Sequence, residues 1–229
     1  MNGARHSIAI LAALAAMATA CNRQARQPQP PPEHSATASA PQTTQGTLVF
    51  LGDSLTAGLG LAKEQAFPAL IEARLSTEGS SWKVVNAGIS GDTTAGGVGR
   101  LDWIYRQKVD VLFVCLGAND GLRGIPVAET ERNLRVILDR ARKEGSRVVL
   151  AGMQLPENYG KDYRAAFMRI FPRLAKDYGI PLVPFLLEGV AMDPTLNQAD
   201  GIHPNERGAR RVAETVWDTL KPVLAIQSR

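Results

Sequence analysis

The chain has 229 residues, 45% of them hydrophobic and 21% charged, with 26 Lys and Arg against 22 Asp and Glu. The basic residues are scattered and form no stripe with interleaved aromatics, which leaves no footprint for nucleic acid. Of the two cysteines, only Cys115 falls in the part that can fold, so no disulfide framework is available there.

Met1 to Ala20 opens with Arg5 and His6 and continues as the apolar run Ile8 to Met17. A weakly basic start, a short apolar stretch and small residues read as a secretory signal over residues 1–20. About ten apolar residues fall short of the roughly 20 that a membrane span needs. Ala18-Thr19-Ala20 suits an ordinary signal peptidase, while Cys21 directly after it makes the stretch resemble a bacterial lipobox, with Ala18 where the usual Leu stands. Cleavage with or without lipidation of Cys21 stays open at this point. Either outcome predicts an exported protein, periplasmic or anchored to the envelope membrane as a lipoprotein. Residues 21–46 are rich in Gln, Pro, Ala, Ser and Thr and include Pro30-Pro31-Pro32. Such a composition buries no core and predicts a semi-extended tether. Residues 47–229, about 180 of them, suit one domain.

Within that domain, short apolar runs predict buried strands at Leu48 to Leu51, Lys83 to Val85, Val111 to Leu116, Arg147 to Leu150 and Pro181 to Val183. Helical spacing appears between them, first in Leu134, Ile137, Leu138 and Ala141. A second stripe runs Tyr163, Phe167, Ile170, Phe171, Leu174 and Tyr178, with a bend expected at Pro172. The third is Ala209, Val212, Ala213, Val216, Trp217 and Leu220. Strands alternating with amphipathic helices predict an α/β fold with a parallel sheet covered on both faces. Sites in such sheets form beyond the carboxyl ends of the strands. Cys115, inside an apolar run, reads as a buried small side chain.

Polar and glycine-containing clusters follow the strands: Gly52-Asp53-Ser54-Leu55, Asn86 to Asp92, Gly117-Ala118-Asn119-Asp120, and Asp200-Gly201-Ile202-His203-Pro204. Together they hold the parts of acyl transfer. Ser54 is a weak nucleophile that needs a base, His203 can accept its proton, and Asp200 can fix the tautomer of His203. The backbone N–H groups of Ser54 and Gly91 and the side-chain amide of Asn119 can bind an oxyanion, with Gly91 allowing close approach of substrate. The Gly-x-Ser-x-Gly elbow of the α/β-hydrolases is absent. Ser90 reads as a turn residue, Asp53 as stabilising the turn at Ser54, and Asp92 and Asp120 as acceptors that hold loops.

In order and content these clusters resemble the four blocks of the SGNH (GDSL) hydrolases, over Thr47 to Leu220. Within that family the chain is most similar to the bacterial thioesterase I, lysophospholipase and arylesterase group, as in Asn119-Asp120-Gly121-Leu122-Arg123-Gly124 and Leu155-Pro156-Glu157-Asn158-Tyr159-Gly160. The resemblance implies a flavodoxin-like, three-layer α/β/α sandwich with a central parallel five-stranded sheet, and a serine esterase without metal or cofactor. It implies a triad of Ser54, Asp200 and His203 and an oxyanion hole of Ser54, Gly91 and Asn119. The expected substrates are small-molecule acyl esters, including aryl esters and lysophospholipids, and acyl thioesters, with membrane anchoring through Cys21 as the one partner interaction. Ile125-Pro126 and Leu155-Pro156 are the candidate acyl-groove residues. Two other readings remain at this stage: a carbohydrate O-acetylesterase of the cell envelope, and a non-catalytic surface binding protein of the same fold.

Overall fold

The computed structural model describes residues 44–225. The signal segment 1–20, Cys21 and the tether up to residue 43 lie outside the described residues. Among the described residues, backbone pairing is already present at Gln45, two residues before the expected boundary at residue 47. Gln45 donates its N–H to the Ser81 carbonyl at 2.9 Å and accepts the Ser81 N–H at 3.0 Å, and the first strand starts at Gly46.

The strands are β1 (Gly46–Gly52), β2 (Trp82–Gly88), β3 (Val111–Cys115), β4 (Arg147–Ala151) and β5 (Leu182–Val183). They form one sheet in the order β2-β1-β3-β4-β5, with every pair parallel. All five carboxyl ends therefore share one edge, and the start of β1 lies at the other. β1 and β3 sit inside the sheet with both faces covered, which is why Leu48 to Leu51 and Val111 to Leu116 are apolar without alternation. β2 is an edge strand and only partly buried, so Lys83 there reaches solvent.

The helices are α1 (Ser54–Ala57), α2 (Phe67–Thr77), α3 (Thr94–Gly99), α4 (Leu101–Ile104), α5 (Ala118–Leu122), α6 (Val127–Lys143), α7 (Lys161–Met168), α8 (Ile170–Tyr178) and α9 (Glu206–Ala225). α2 packs against α9 on one face; α3, α6 and α8 pack in succession on the other. These are the three layers of the predicted flavodoxin-like sandwich. Under α2 the core joins Phe50, Phe67 and Phe113, with ring centroids 5.1 to 6.2 Å apart. Burial of one such ring stabilises the fold by about 1.5–3 kcal/mol. The predicted stripes of α6 and α9 are the buried faces of those helices.

The stripe from Tyr163 to Tyr178 is two helices rather than one bent helix. The break falls at Arg169, between α7 and α8, and Pro172 sits in the first turn of α8. The displacement has a simple cause. A proline has no N–H for the carbonyl four residues back, and its ring crowds that carbonyl. Here that carbonyl belongs to Met168, the last residue of α7.

Candidate active site

β1 and β3 are neighbours whose chains depart toward different parts of the sheet, so the crevice beyond their carboxyl ends is the topological switch point. Ser54 follows β1 and Asn119 follows β3, one on each side of that crevice. A Cβ on Gly52 would lie 2.0 Å from Thr56 Oγ1, so the turn into α1 closes this tightly only with glycine. Asp53 caps α1, its Oδ1 accepting the Leu55 N–H at 3.0 Å. Ser54 opens the helix, and its hydroxyl is held at the crevice while the residue is only 8% exposed.

His203 and Asp200 arrive on the loop before α9. Asn205 caps that helix through the N–H groups of Arg207 and Gly208. The Gln198 N–H donates to the His203 carbonyl at 2.7 Å, and Gln198 Nε2 donates to the carbonyls of Leu59 and Pro204. The histidine loop is thereby tied to the loop after Ser54. His203 Nε2 lies 2.8 Å from Ser54 Oγ, and His203 Nδ1 lies 2.7 Å from Asp200 Oδ2. The other oxygen, Asp200 Oδ1, accepts the N–H groups of Ile202 and His203 at 2.9 and 3.0 Å. Those backbone donors, with the imidazole, hold the Asp200 carboxyl down at about 2. A carboxylate ionised across the whole working pH range keeps the proton of His203 on Nδ1, which leaves Nε2 free to accept from a hydroxyl.

The remaining predicted residues converge on the same crevice. Gly91 is exposed and has φ of 81°, a backbone that side-chain-bearing residues rarely adopt. Asn119 lies in the first turn of α5. Its Nδ2 donates to the Asp92 carbonyl at 2.9 Å and makes a long contact of 3.4 Å with Asp53 Oδ2. Asp53 is 1% exposed, and burial pushes its carboxyl up to about 6 against the opposing pull of the Leu55 N–H and His203. It lies apart from the Ser54–His203–Asp200 chain of contacts. Ser90 is an exposed turn residue. Cys115 is fully buried, and its thiol is pushed well up by loss of hydration and by nearby Asp53, which removes it as a nucleophile.

Asp120 is an acceptor as expected, but it ties two helices rather than a loop. It is fully buried, and its carboxylate accepts the Thr94 N–H at 2.8 Å together with the Thr94 hydroxyl, joining α5 to α3. Sequence reasoning missed Arg100, whose guanidinium bonds the Asp92 carboxylate and the carbonyls of Gly52 and Ala87. No local pattern marks an arginine that lies 48 residues from one of its acceptors.

Beside Ser54 opens an apolar groove of about 520 Å³, lined by Leu55, Ala118, Leu122, Met153, Leu155, Pro156, Phe185, Ala191, Met192 and Ile202, with Gln154, Glu157 and Arg164 among its polar residues. Leu155-Pro156 lies where the sequence placed it. Ile125-Pro126 does not line this groove: the chain folds back after α5, with the Ile125 N–H on the Asp120 carbonyl at 3.0 Å and the Ile125 carbonyl accepting Tyr163 Oη at 2.8 Å. Met153 follows the end of β4 and Met192 lies in the turns between β5 and α9, where no sequence signal pointed to them.

The profile of the GDSL-like lipase/acylhydrolase family matches residues 50–211. Esterase TesA of Pseudomonas aeruginosa is 47% identical over 184 residues, covering 80% of this chain and 92% of the relative. The thioesterase 1/protease 1/lysophospholipase L1 of Escherichia coli strain K12 is 41% identical over 179 residues, covering 78% and 85%. A crystal structure of TesA superposes with a TM-score of 0.75 at 47% identity, over 77% of this chain and 99% of the other. With this sheet order, this crevice and these relatives, the chain belongs to the GDSL-like lipase/acylhydrolase family and is a hydrolase.

Proposed function

We propose that the protein is an exported serine esterase that hydrolyses acyl esters, including aryl esters and lysophospholipids, and acyl thioesters, through a Ser54-His203-Asp200 triad. The observation that carries this is the unbroken contact chain Ser54 Oγ–His203 Nε2 and His203 Nδ1–Asp200 Oδ2, at 2.8 and 2.7 Å, at the mouth of an apolar groove. Ser54 Oγ attacks the carbonyl carbon while its proton passes to His203 Nε2. The tetrahedral oxyanion faces the Ser54 and Gly91 N–H groups and the Asn119 N–H that is held only by the long contact to Asp53. Collapse breaks the bond to the leaving oxygen or sulfur, which takes the proton from His203. Water, deprotonated by the same nitrogen, then releases the acid from the acyl-serine.

The groove supports an acyl chain longer than acetyl, since about 520 Å³ lined mainly by aliphatic side chains suits a hydrocarbon chain and exceeds the needs of a methyl group. Asp200 on its backbone donors suits a support for the imidazolium formed in each step, and Asp53 suits a cap rather than the triad acid. The proposed location is the envelope, with the signal over residues 1–20 removed and Cys21 as the anchoring residue. The test is a profile of purified protein over p-nitrophenyl esters of increasing chain length, lysophospholipids and an acyl thioester, beside acetylated polysaccharide. Turnover that rises with chain length from acetyl is expected, and folded protein releasing acid from none of the acyl substrates defeats the reading.

A further inference from the structure

Arg100 joins α3 to α4, away from the groove, and its side chain is 13% exposed. Burial of a guanidinium is costly unless its donors are answered by acceptors, and here the acceptors lie at the carboxyl ends of β1 and β2 and on the Gly91 loop. Nε donates to Asp92 Oδ2 at 2.8 Å, Nη2 donates to the Gly52 carbonyl at 2.8 Å, and Nη1 donates to the Ala87 carbonyl. Gly52 stands two residues before Ser54. Asp92 follows Gly91, and its carbonyl accepts the Asn119 side-chain amide. Ala87 is the last residue but one of β2, which leads into the Gly91 loop. One planar cation thus braces the backbone that carries two of the proposed oxyanion donors, Ser54 and Gly91, and through Asp92 the carbonyl that holds the third, the Asn119 amide.

We propose that Arg100 is a positioning residue that sets the geometry of the oxyanion hole without touching substrate. This rests on the Ser54 reading above. The rigid fork of arginine supplies donors in three directions from one plane, whereas a lysine ammonium is a compact point that cannot span all three acceptors. Small displacements of oxyanion donors cost turnover more than ground-state binding, because the donors act on charge that develops in the transition state. A role confined to folding would instead lower the melting temperature and leave turnover per folded molecule unchanged.

The test measures kcat and KM for a p-nitrophenyl ester, with circular dichroism to count folded protein, for Arg100→Lys, Arg100→Gln and Asp92→Asn. For both Arg100 variants kcat is expected to fall at least 30-fold, on the scale of a lost oxyanion donor, with KM moving less than about threefold. Combining Arg100→Lys with Asn119→Ala should cost far less than the product of the single losses, since both act on the same donors. A folded Arg100→Lys or Arg100→Gln protein with kcat within about threefold of the parent overturns the proposal. If neither Arg100 variant folds, Asp92→Asn decides: about tenfold loss of kcat supports the proposal and less than about threefold overturns it. Parent turnover that vanishes in Ser54→Ala but ignores Arg100 defeats this inference alone. Parent turnover that is insensitive to Ser54 defeats the functional reading itself.

Discussion

The buried carboxyl of Asp53 and the side-chain amide of Asn119 meet at 3.4 Å across the crevice between the ends of β1 and β3. The contact is long for a hydrogen bond, yet it sets a site acid beside a proposed oxyanion donor, and it makes the ionisation of Asp53 a measurable property of the fold.

Burial pushes the Asp53 carboxyl from 3.8 to about 6. The folded state therefore keeps this proton to higher pH than the unfolded chain does. The group's ionisation costs stability progressively as pH rises from about 4 to about 6, and the cost is constant above that. Its full size is about 3 kcal/mol. Asp53→Asn keeps an oxygen for the Leu55 N–H and removes the titration. Its stability relative to the parent is expected to improve between pH 4 and pH 7 by up to that amount. Urea unfolding of both proteins at the two pH values checks this, and a pH-independent difference contradicts it.

Ser54→Ala is expected to abolish covalent labelling by a fluorophosphonate while the protein stays folded. Neither Cys115, buried with its thiol pushed up, nor Ser90, exposed without a base in its hydrogen bonds, offers a substitute. Mass spectrometry of labelled peptides reads the outcome, and persistent labelling elsewhere refutes the assignment.

Asp200→Asn tests the histidine tautomer. An asparagine oxygen can still accept the Ile202 and His203 N–H groups, which leaves its NH₂ facing His203 Nδ1. The ring proton then moves to Nε2, where it blocks acceptance from Ser54. A fall in kcat of about 10²–10⁴ is expected at neutral pH, with the loop intact by amide exchange. A loss below tenfold would remove Asp200 from the proposed triad.

Asn119→Ala removes the amide from both Asp92 and the proposed oxyanion. A loss of about 10²–10³ in kcat is expected, with KM nearly unchanged. Steady-state kinetics decide, and an effect confined to KM points to substrate packing instead.

Ala191 is exposed and lines the groove, so Ala191→Trp adds bulk there at little expense to folding. If the acyl chain lies in this groove, displacement of two or three methylenes at about 0.8 kcal/mol each lowers kcat/KM for long chains by tenfold or more. Butyryl esters should be spared. Equal losses at every chain length would place the chain elsewhere.

The residues that sequence reading located are those whose chemistry is packed into a short stretch. Ser54 stands at the end of an apolar run beside its capping aspartate, and Asp200 and His203 share one turn. The parallel sheet was equally visible, because strands covered on both faces lose their alternation. Arg100 and Met192 gave no such signal, since their partners are assembled only when the sheet order brings distant loops together. The error at Ile125-Pro126 has a related origin. Nearness to Asn119 in the chain says nothing of direction, and after α5 the backbone turns back toward Tyr163. The break before Pro172 shows the same thing on a smaller scale: the residue was visible, but its steric effect falls on a carbonyl four positions earlier.

β1 enters the sheet at Gly46 and ends at the Ser54 turn, so the described chain comes in at one end of the sheet and presents Ser54 at the other. The groove, with exposed Met192 and Ile202 among its lining residues, therefore lies at the opposite end of the sheet from Gly46. Coupling to a bead or sensor chip through a cysteine placed at Gln45 should therefore leave Ser54 open to a fluorophosphonate.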